Sequence, residues 1–114
     1  MALQFDRAEM AEFLEEVFPQ VRGMFGIDLL EEDRLVMRLH AGEQHLRPGG
    51  TVSGPAMFAL ADVAAYVATM ARIGREALTV TTHCSIDFMR KPVAGVDVLA
   101  EARLLKFGKS LSVT

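Results

Sequence analysis

From Gly54 to Ala71 the chain reads GPAMFALADVAAYVATMA, and Asp62 is the only charged residue in that run. A stretch this long and apolar on every side is a helix buried all round. One of its faces can pack on a sheet, and the other must also be covered. The rest of the chain, together with a second copy, has to wrap it. A membrane span is the competing use of such a run, but a mid-span acid is costly, and alanine rather than leucine dominates here. Asp62 itself demands an explanation. An isolated buried charge costs several kcal/mol, so this carboxylate must be partnered, functional or both.

The flanks are well punctuated. Ser53 suits the N-cap of the long helix, Pro55 its first turn, and Gly74 its end. Before it, His45 to Ser53 is a loop by its glycine and proline content. At the N-terminus, Asp6 and Glu9 have the spacing of a capping box, with Phe5 and Met10 placed as a hydrophobic staple. Phe13, Leu14, Val17 and Phe18 then share one face of a short helix that Pro19 ends.

The remaining segments alternate with period two. Phe25 to Glu31 reads as a strand. In Arg34 to Ala41, Leu35, Met37, Leu39 and Ala41 alternate with Arg34, Arg38 and His40, and Glu32-Asp33 supplies the turn between the two strands. Leu78 to Arg90 reads as a long strand, with Val80, Thr82, Cys84, Ile86 and Phe88 on one face and Thr79, Thr81, His83, Ser85 and Asp87 on the other. Pro92 and Gly95 mark a turn, Val96 to Phe107 a further strand, and Gly108-Lys109 another turn. Leu111 to Thr114 begins a strand that stops mid-pattern, so one or two C-terminal strands are expected to be missing. The expectation is one domain over residues 1–114, an α+β architecture in which an antiparallel sheet wraps one long helix. The helix face bearing Phe58, Asp62, Ala65, Tyr66 and Thr69 would remain for a second subunit.

Composition narrows the function. With 12 Lys and Arg against 15 Asp and Glu, the net charge is −3, which argues against bulk electrostatic binding to nucleic acid or an anionic membrane. A single cysteine, Cys84, excludes an intrachain disulfide and suits a reducing compartment, so the cytoplasm is the expected location. Cys84 is expected to be a buried, inert thiol among Val80 and Ile86. The three histidines are scattered and give no metal motif. His45 reads as a loop residue and His83 as a solvated or interface residue.

The start of the long helix is an electrophilic site. Free backbone N–H groups at Gly54 and its neighbours, with the positive end of the helix dipole, stabilise negative charge on an oxygen placed there. Glycine at 54 lets a ligand approach the backbone closely. Asp62 follows two turns later, and an extended group lying along the helix would meet both features. Amides for an oxyanion and a carboxylate to activate water, or to attack directly, are the parts of acyl transfer to water.

The run PGGTVSGPAMFALADVAAYVA, the later SIDFMRKP and the final LLKFGKSLSVT resemble the PaaI-type branch of the hotdog-fold acyl-CoA thioesterases, over roughly Met24 to the last residue. The resemblance implies a long helix wrapped by an antiparallel sheet, a homodimer or homotetramer with active sites at the subunit interface, acyl-CoA as substrate and no cofactor. It implies that Asp62 is the catalytic carboxylate and that the Gly54 N–H polarises the thioester carbonyl. It also places Thr81 as a hydroxyl facing the site from the partner subunit, and Arg90 and Lys91 near the CoA phosphates. Tyr66, one turn after Asp62, lines the acyl pocket or packs. Relatives often carry asparagine where Arg47 stands and His-Gly-Gly where this chain has Ser53-Gly54-Pro55. Pro55 lacks an N–H, Ser53 caps the helix but is a poor acid or base, and Arg47 is a permanent charge able to bind a carboxylate or phosphate or to pair with Asp62. Two alternatives follow from those departures and from the histidines: a module that binds an acyl-CoA or lipophilic ligand without turnover, and a hydratase using His45 or His83.

Overall fold

The computed structural model describes residues 3–75, 78–90, 92–108 and 110–114. Helix α1 (Arg7–Val17) begins at Asp6, whose Oδ1 accepts from Glu9 N–H at 2.8 Å while Glu9 Oε1 accepts from Asp6 N–H at 3.1 Å. That reciprocal capping box satisfies two otherwise orphaned donors. Strands β1 (Phe25–Leu30) and β2 (Leu35–Leu39) form an antiparallel hairpin across Glu32-Asp33, with Phe25 opposite Leu39 and Leu30 opposite Leu35. Then come β3 (Leu46–Arg47), β4 (Thr51–Val52), the long helix α2 (Gly54–Ile73), β5 (Val98–Ala102), β6 (Lys106–Phe107) and β7 (Ser112–Val113).

The main sheet is antiparallel, ordered β1-β2-β5, and α2 packs against β2 and β5. Leu35, Met37 and Leu39 of β2 face inward and are essentially sealed from solvent. Against them α2 turns Ala56, Leu60, Val63, Ala64, Val67, Ala68 and Ala71, the three- and four-residue spacing of one helix stripe. Met10, Phe13 and Leu14 of α1 complete this core beside Ile27. Each such large side chain contributes about 1.5–3 kcal/mol by leaving water. By length and composition α2 is apolar enough to cross a membrane; here its stripe of small residues lets the sheet backbone approach closely.

Outside the core, a β-bulge between Ile27 and Leu29 sets Asp28 apart in the register. Arg38 grips its carboxylate at 2.8 Å and reaches Asp97 at 3.3 Å, while Asp97 also accepts from Ala41 N–H at 3.0 Å. The Arg38 hydrogen bond holds the Asp28 carboxyl below its ordinary range. For Asp97 the Ala41 amide is the larger cause and Arg38 the smaller.

The α+β expectation holds, and three local readings are corrected. The long strand expected from Leu78 to Arg90 does not form: residues 79–89 belong to no sheet. Val80 is 74% exposed and Phe88 53%. β-propensity describes a fit to a half-buried pleated surface, and most of the apolar side of this segment is left uncovered by the described residues. Cys84, expected to be buried, is exposed for the same reason. The strand read from Val96 to Phe107 divides into β5 and β6, with residues 103–105 outside both.

Candidate active site

Two features of α2 carry chemistry, one at its start and one two turns in. The start is fixed by a short hairpin. Gly49 and Gly50 adopt φ of +103° and +74°, which a turn between β3 and β4 needs and side chains resist. The hairpin is tied outward by Val52 N–H to Pro92 O and by Ala94 N–H to Gly50 O, both 3.1 Å. It is tied inward by Ser53 N–H to His45 O at 2.7 Å. His45 is buried, 6% exposed, and its Nδ1 accepts from Gly42 N–H at 2.9 Å. The loop reading of that residue missed this anchor. A histidine flanked by glycine at 42 and leucine at 46 carries no local sign of burial.

Ser53 caps α2, its Oγ accepting from Ala56 N–H at 3.2 Å. Of the first three helical residues, Ala56 therefore has its amide occupied and Pro55 has none to offer. Gly54 N–H donates to no partner among the described residues. One open amide at the positive end of a 20-residue helix is a seat for a single oxyanion. Phe88 stands beside it: a Cβ added at Gly54 would lie 3.4 Å from the tip of its ring.

Asp62 lies on the face of α2 that the sheet leaves uncovered. It is half-buried, and Thr81 Oγ1 donates to its Oδ1 at 2.6 Å. The expectation took Thr81 from a partner subunit, whereas here the contact is made within one chain. The carboxylate forms part of the wall of an open groove of about 480 Å³, between the end of α1, the middle of α2 and residues 79–81. Tyr66 lines the same groove one turn beyond Asp62, and burial pushes its phenol pKa up. Phe18 faces Tyr66 edge to face, ring centroids 6.4 Å apart.

The other anticipated residues lie apart. Arg47 is exposed on β3, and no ion pair joins it to Asp62 among the described residues. Arg90 is exposed beyond Phe88, and Lys91 lies outside the described residues. No cluster of metal-ligating side chains occurs among the described residues. Gly54 and Asp62 stand eight residues apart on one continuous helix, roughly 12 Å along its axis. Reacting atoms must approach to about 3–3.5 Å, so one copy of α2 does not offer both groups to the same carbonyl. The idea of a group lying along one helix is replaced by this geometry.

The sequence model of the thioesterase superfamily matches residues 49–114. No match was found among curated proteins. Among solved structures, one from Silicibacter sp. TM1040, whose own thioesterase assignment is a proposal, shares 58% identity over 98% of this chain and 78% of that one, with a TM-score of 0.91. Zebrafish thioesterase superfamily member 2 gives a TM-score of 0.81 at 22% identity, covering 96% of this chain and 82% of that one. The Escherichia coli PaaI protein from the phenylacetic acid degradation operon gives 0.71 at 24% identity, covering 90% and 73%. The latter two bear on the fold alone, which is the hotdog.

Proposed function

The chain belongs to the thioesterase superfamily, and on that premise we propose that it hydrolyses an acyl-CoA to a carboxylic acid and free CoA. Thioester hydrolysis is the coarse chemistry that membership supports. The observation that carries the finer reading is the pairing of one unoccupied amide at a helix start, Gly54, with a hydroxyl-oriented carboxylate in a groove wall, Asp62.

The 12 Å between them calls for two copies. In a homodimer or a dimer of dimers, the carbonyl held by Gly54 of one helix meets Asp62 of the other. Asp62 takes a proton from water as the water oxygen attacks the thioester carbon, or attacks that carbon itself and is freed by water afterwards. The tetrahedral oxyanion accepts from Gly54 N–H and is stabilised by the helix dipole. Collapse breaks the C–S bond, and the departing CoA sulfur takes up the proton. Thr81 holds the Asp62 carboxylate in one orientation throughout. On the family resemblance, exposed Arg90 and Arg47 would meet the CoA phosphates or the acyl carboxylate. Support for the dimer comes from the half-buried face bearing Phe58, Asp62 and Tyr66, together with exposed Val80, Phe88 and Met89 in the segment that follows the helix. The lone cysteine supports a cytoplasmic location.

The test is thiol release, followed with a disulfide reporter, from short, long and aromatic acyl-CoAs, with wild type beside Asp62→Asn. Asp62 is not part of the core, so the variant should fold. Loss of a general base lowers turnover by about 10²–10⁴-fold. Equal rates for the two proteins sink the assignment of Asp62. Ligand binding without thiol release by the wild type would favour a non-catalytic acyl-CoA-binding module, the reading that the missing amide at Pro55 keeps open. Sedimentation showing a monomer at micromolar concentration would contradict the two-copy site.

A further inference from the structure

We infer that Phe18 is the stop at the end of the acyl groove and sets the length of the acyl chain this protein accepts. The inference rests on the thioesterase reading for what fills the groove; the geometry is independent of it.

Phe18 is where α1 ends. Its N–H still donates to Leu14 O at 2.9 Å, but its backbone has left the helix at φ −134°, ψ 60°, because Pro19 cannot continue the ladder. Its carbonyl then accepts from Val21 N–H at 3.2 Å in the 3-10 turn Pro19–Val21. The main chain at Phe18 is therefore pinned on both sides, and the ring is held as part of the groove wall. There it meets Tyr66 at an interplanar angle of 90°, the edge-to-face arrangement aromatic pairs favour by about 0.5–1.5 kcal/mol. By sequence alone Phe18 belongs to the apolar face of α1; in the fold it is half-buried and shared with the groove.

Position relative to the chemistry gives this pair its role. Tyr66 follows Asp62 by four residues, one helical turn, or about 6 Å along α2. A chain leaving a carbonyl at Asp62 and running along the helix meets the Phe18–Tyr66 pair after roughly five carbon–carbon bonds, since bonds of about 1.5 Å at tetrahedral angles advance about 1.25 Å each. Val17, Phe18 and Val63 give that path apolar lining, with Gln20, Thr79 and Thr81 as polar neighbours in the same groove. Tyr66 belongs to the rigid central helix, and its ring is backed by the Phe18 contact. Of the two, Phe18 is the one whose removal opens the groove outward, toward the α1 end.

The experiment uses the whole chain. Hydrolysis is measured for butyryl-, hexanoyl-, octanoyl- and decanoyl-CoA, and binding is measured by calorimetry for the matching S-alkyl-CoA thioethers, which do not turn over. Wild type is compared with Phe18→Ala and the milder Phe18→Leu, and thermal melts confirm that each variant is folded. Wild type should favour the shorter chains. Phe18→Ala should raise the decanoyl-to-hexanoyl ratio of kcat/KM at least tenfold, the scale on which hydrophobic pockets discriminate methylenes. Phe18→Leu should lie between, and the thioether affinities should move in parallel. If Phe18→Ala unfolds, Phe18→Leu carries the comparison. Unmoved ratios in both series overturn the stop. Silent hydrolysis by wild type, with thioether binding whose length preference shifts in the variants, would uphold the stop and sink the hydrolase reading.

Discussion

Gly54→Pro is the sharpest perturbation of the proposed oxyanion seat, because it replaces the one donor hydrogen by a ring carbon. Proline fits the first helical position, where its missing N–H would be unpaired in any case. Ser53 already has the extended backbone, φ −72° and ψ 155°, that a following proline demands. The Gly54 amide makes no hydrogen bond to the described residues, so none of those is lost. Against this, a helical residue just before Pro55 is disfavoured, while the stiffer unfolded chain returns about 0.4–1 kcal/mol. The net change in melting temperature should be a few degrees in either direction.

The catalytic effect is of another size. Removing one oxyanion donor costs about 10²–10³ in kcat, or roughly 2.7–4 kcal/mol of transition-state stabilisation. Gly54→Ala is the companion variant. Its Cβ would sit 3.4 to 3.8 Å from the Phe88 ring atoms, ordinary contact, so the fold has no need of glycine here. It keeps the donor and adds only bulk beside it. The assay is thiol release at saturating acyl-CoA on dimeric protein of verified melting temperature. The expected order of kcat is wild type, then Gly54→Ala, then Gly54→Pro. A Gly54→Pro variant that folds and turns over at the wild-type rate would refute the role of this amide. Equal losses in the two variants would show that bulk, not the donor, is at issue.

Two further predictions concern what holds the site. His45→Leu leaves the Gly42 N–H without its acceptor and should lower stability by about 1–3 kcal/mol in denaturant unfolding; His45→Asn, which offers a side-chain oxygen in the same place, should recover most of it, and equal losses would remove the hydrogen bond from the explanation. Asp97 has its folded pKa depressed below the ordinary 3.8, so its contribution is present above that value and is lost as pH falls through the lower folded value. Asp97→Asn should therefore flatten the acid limb of a melting-temperature profile below about pH 4, and an unchanged limb would contradict the Arg38 network's part in acid stability.

The elements legible in the sequence are those whose causes are local. The capping box at Asp6, the hairpin turn at Glu32-Asp33 and the start of α2 at Ser53 each depend on residues three or four apart, and each lies where the sequence puts it. The strand read over residues 78–90 failed because a strand is a relation between two segments. Its alternation is genuine, but a ladder forms only where a neighbour presents donors and acceptors and something covers the apolar side. The anchors of the site were hidden for a related reason. His45 is tied to Ser53 across the β3–β4 turn, and the Phe18–Tyr66 contact joins positions far apart in sequence. No spacing rule connects them, although the proline after Phe18 was a sign that this side chain leaves the helix in a defined direction.

Asp62 was singled out because an isolated charge inside an all-round buried helix would be too costly to keep. In a single chain that cost is not incurred: the carboxylate is half-buried, open to a groove, and accepts one short hydrogen bond from Thr81. In the proposed dimer a second copy would cover the open face of α2 and displace water from it, and the cost would then arise. Thr81 is then the polar group that remains beside the carboxylate. Its hydrogen bond, worth little while water competes, strengthens as the local dielectric falls. The helix is thus apolar all round for two different reasons. One face is sealed by its own sheet, and the proposed dimer would seal the other, with the single acid placed where that sealing would create a dry, oriented reaction site.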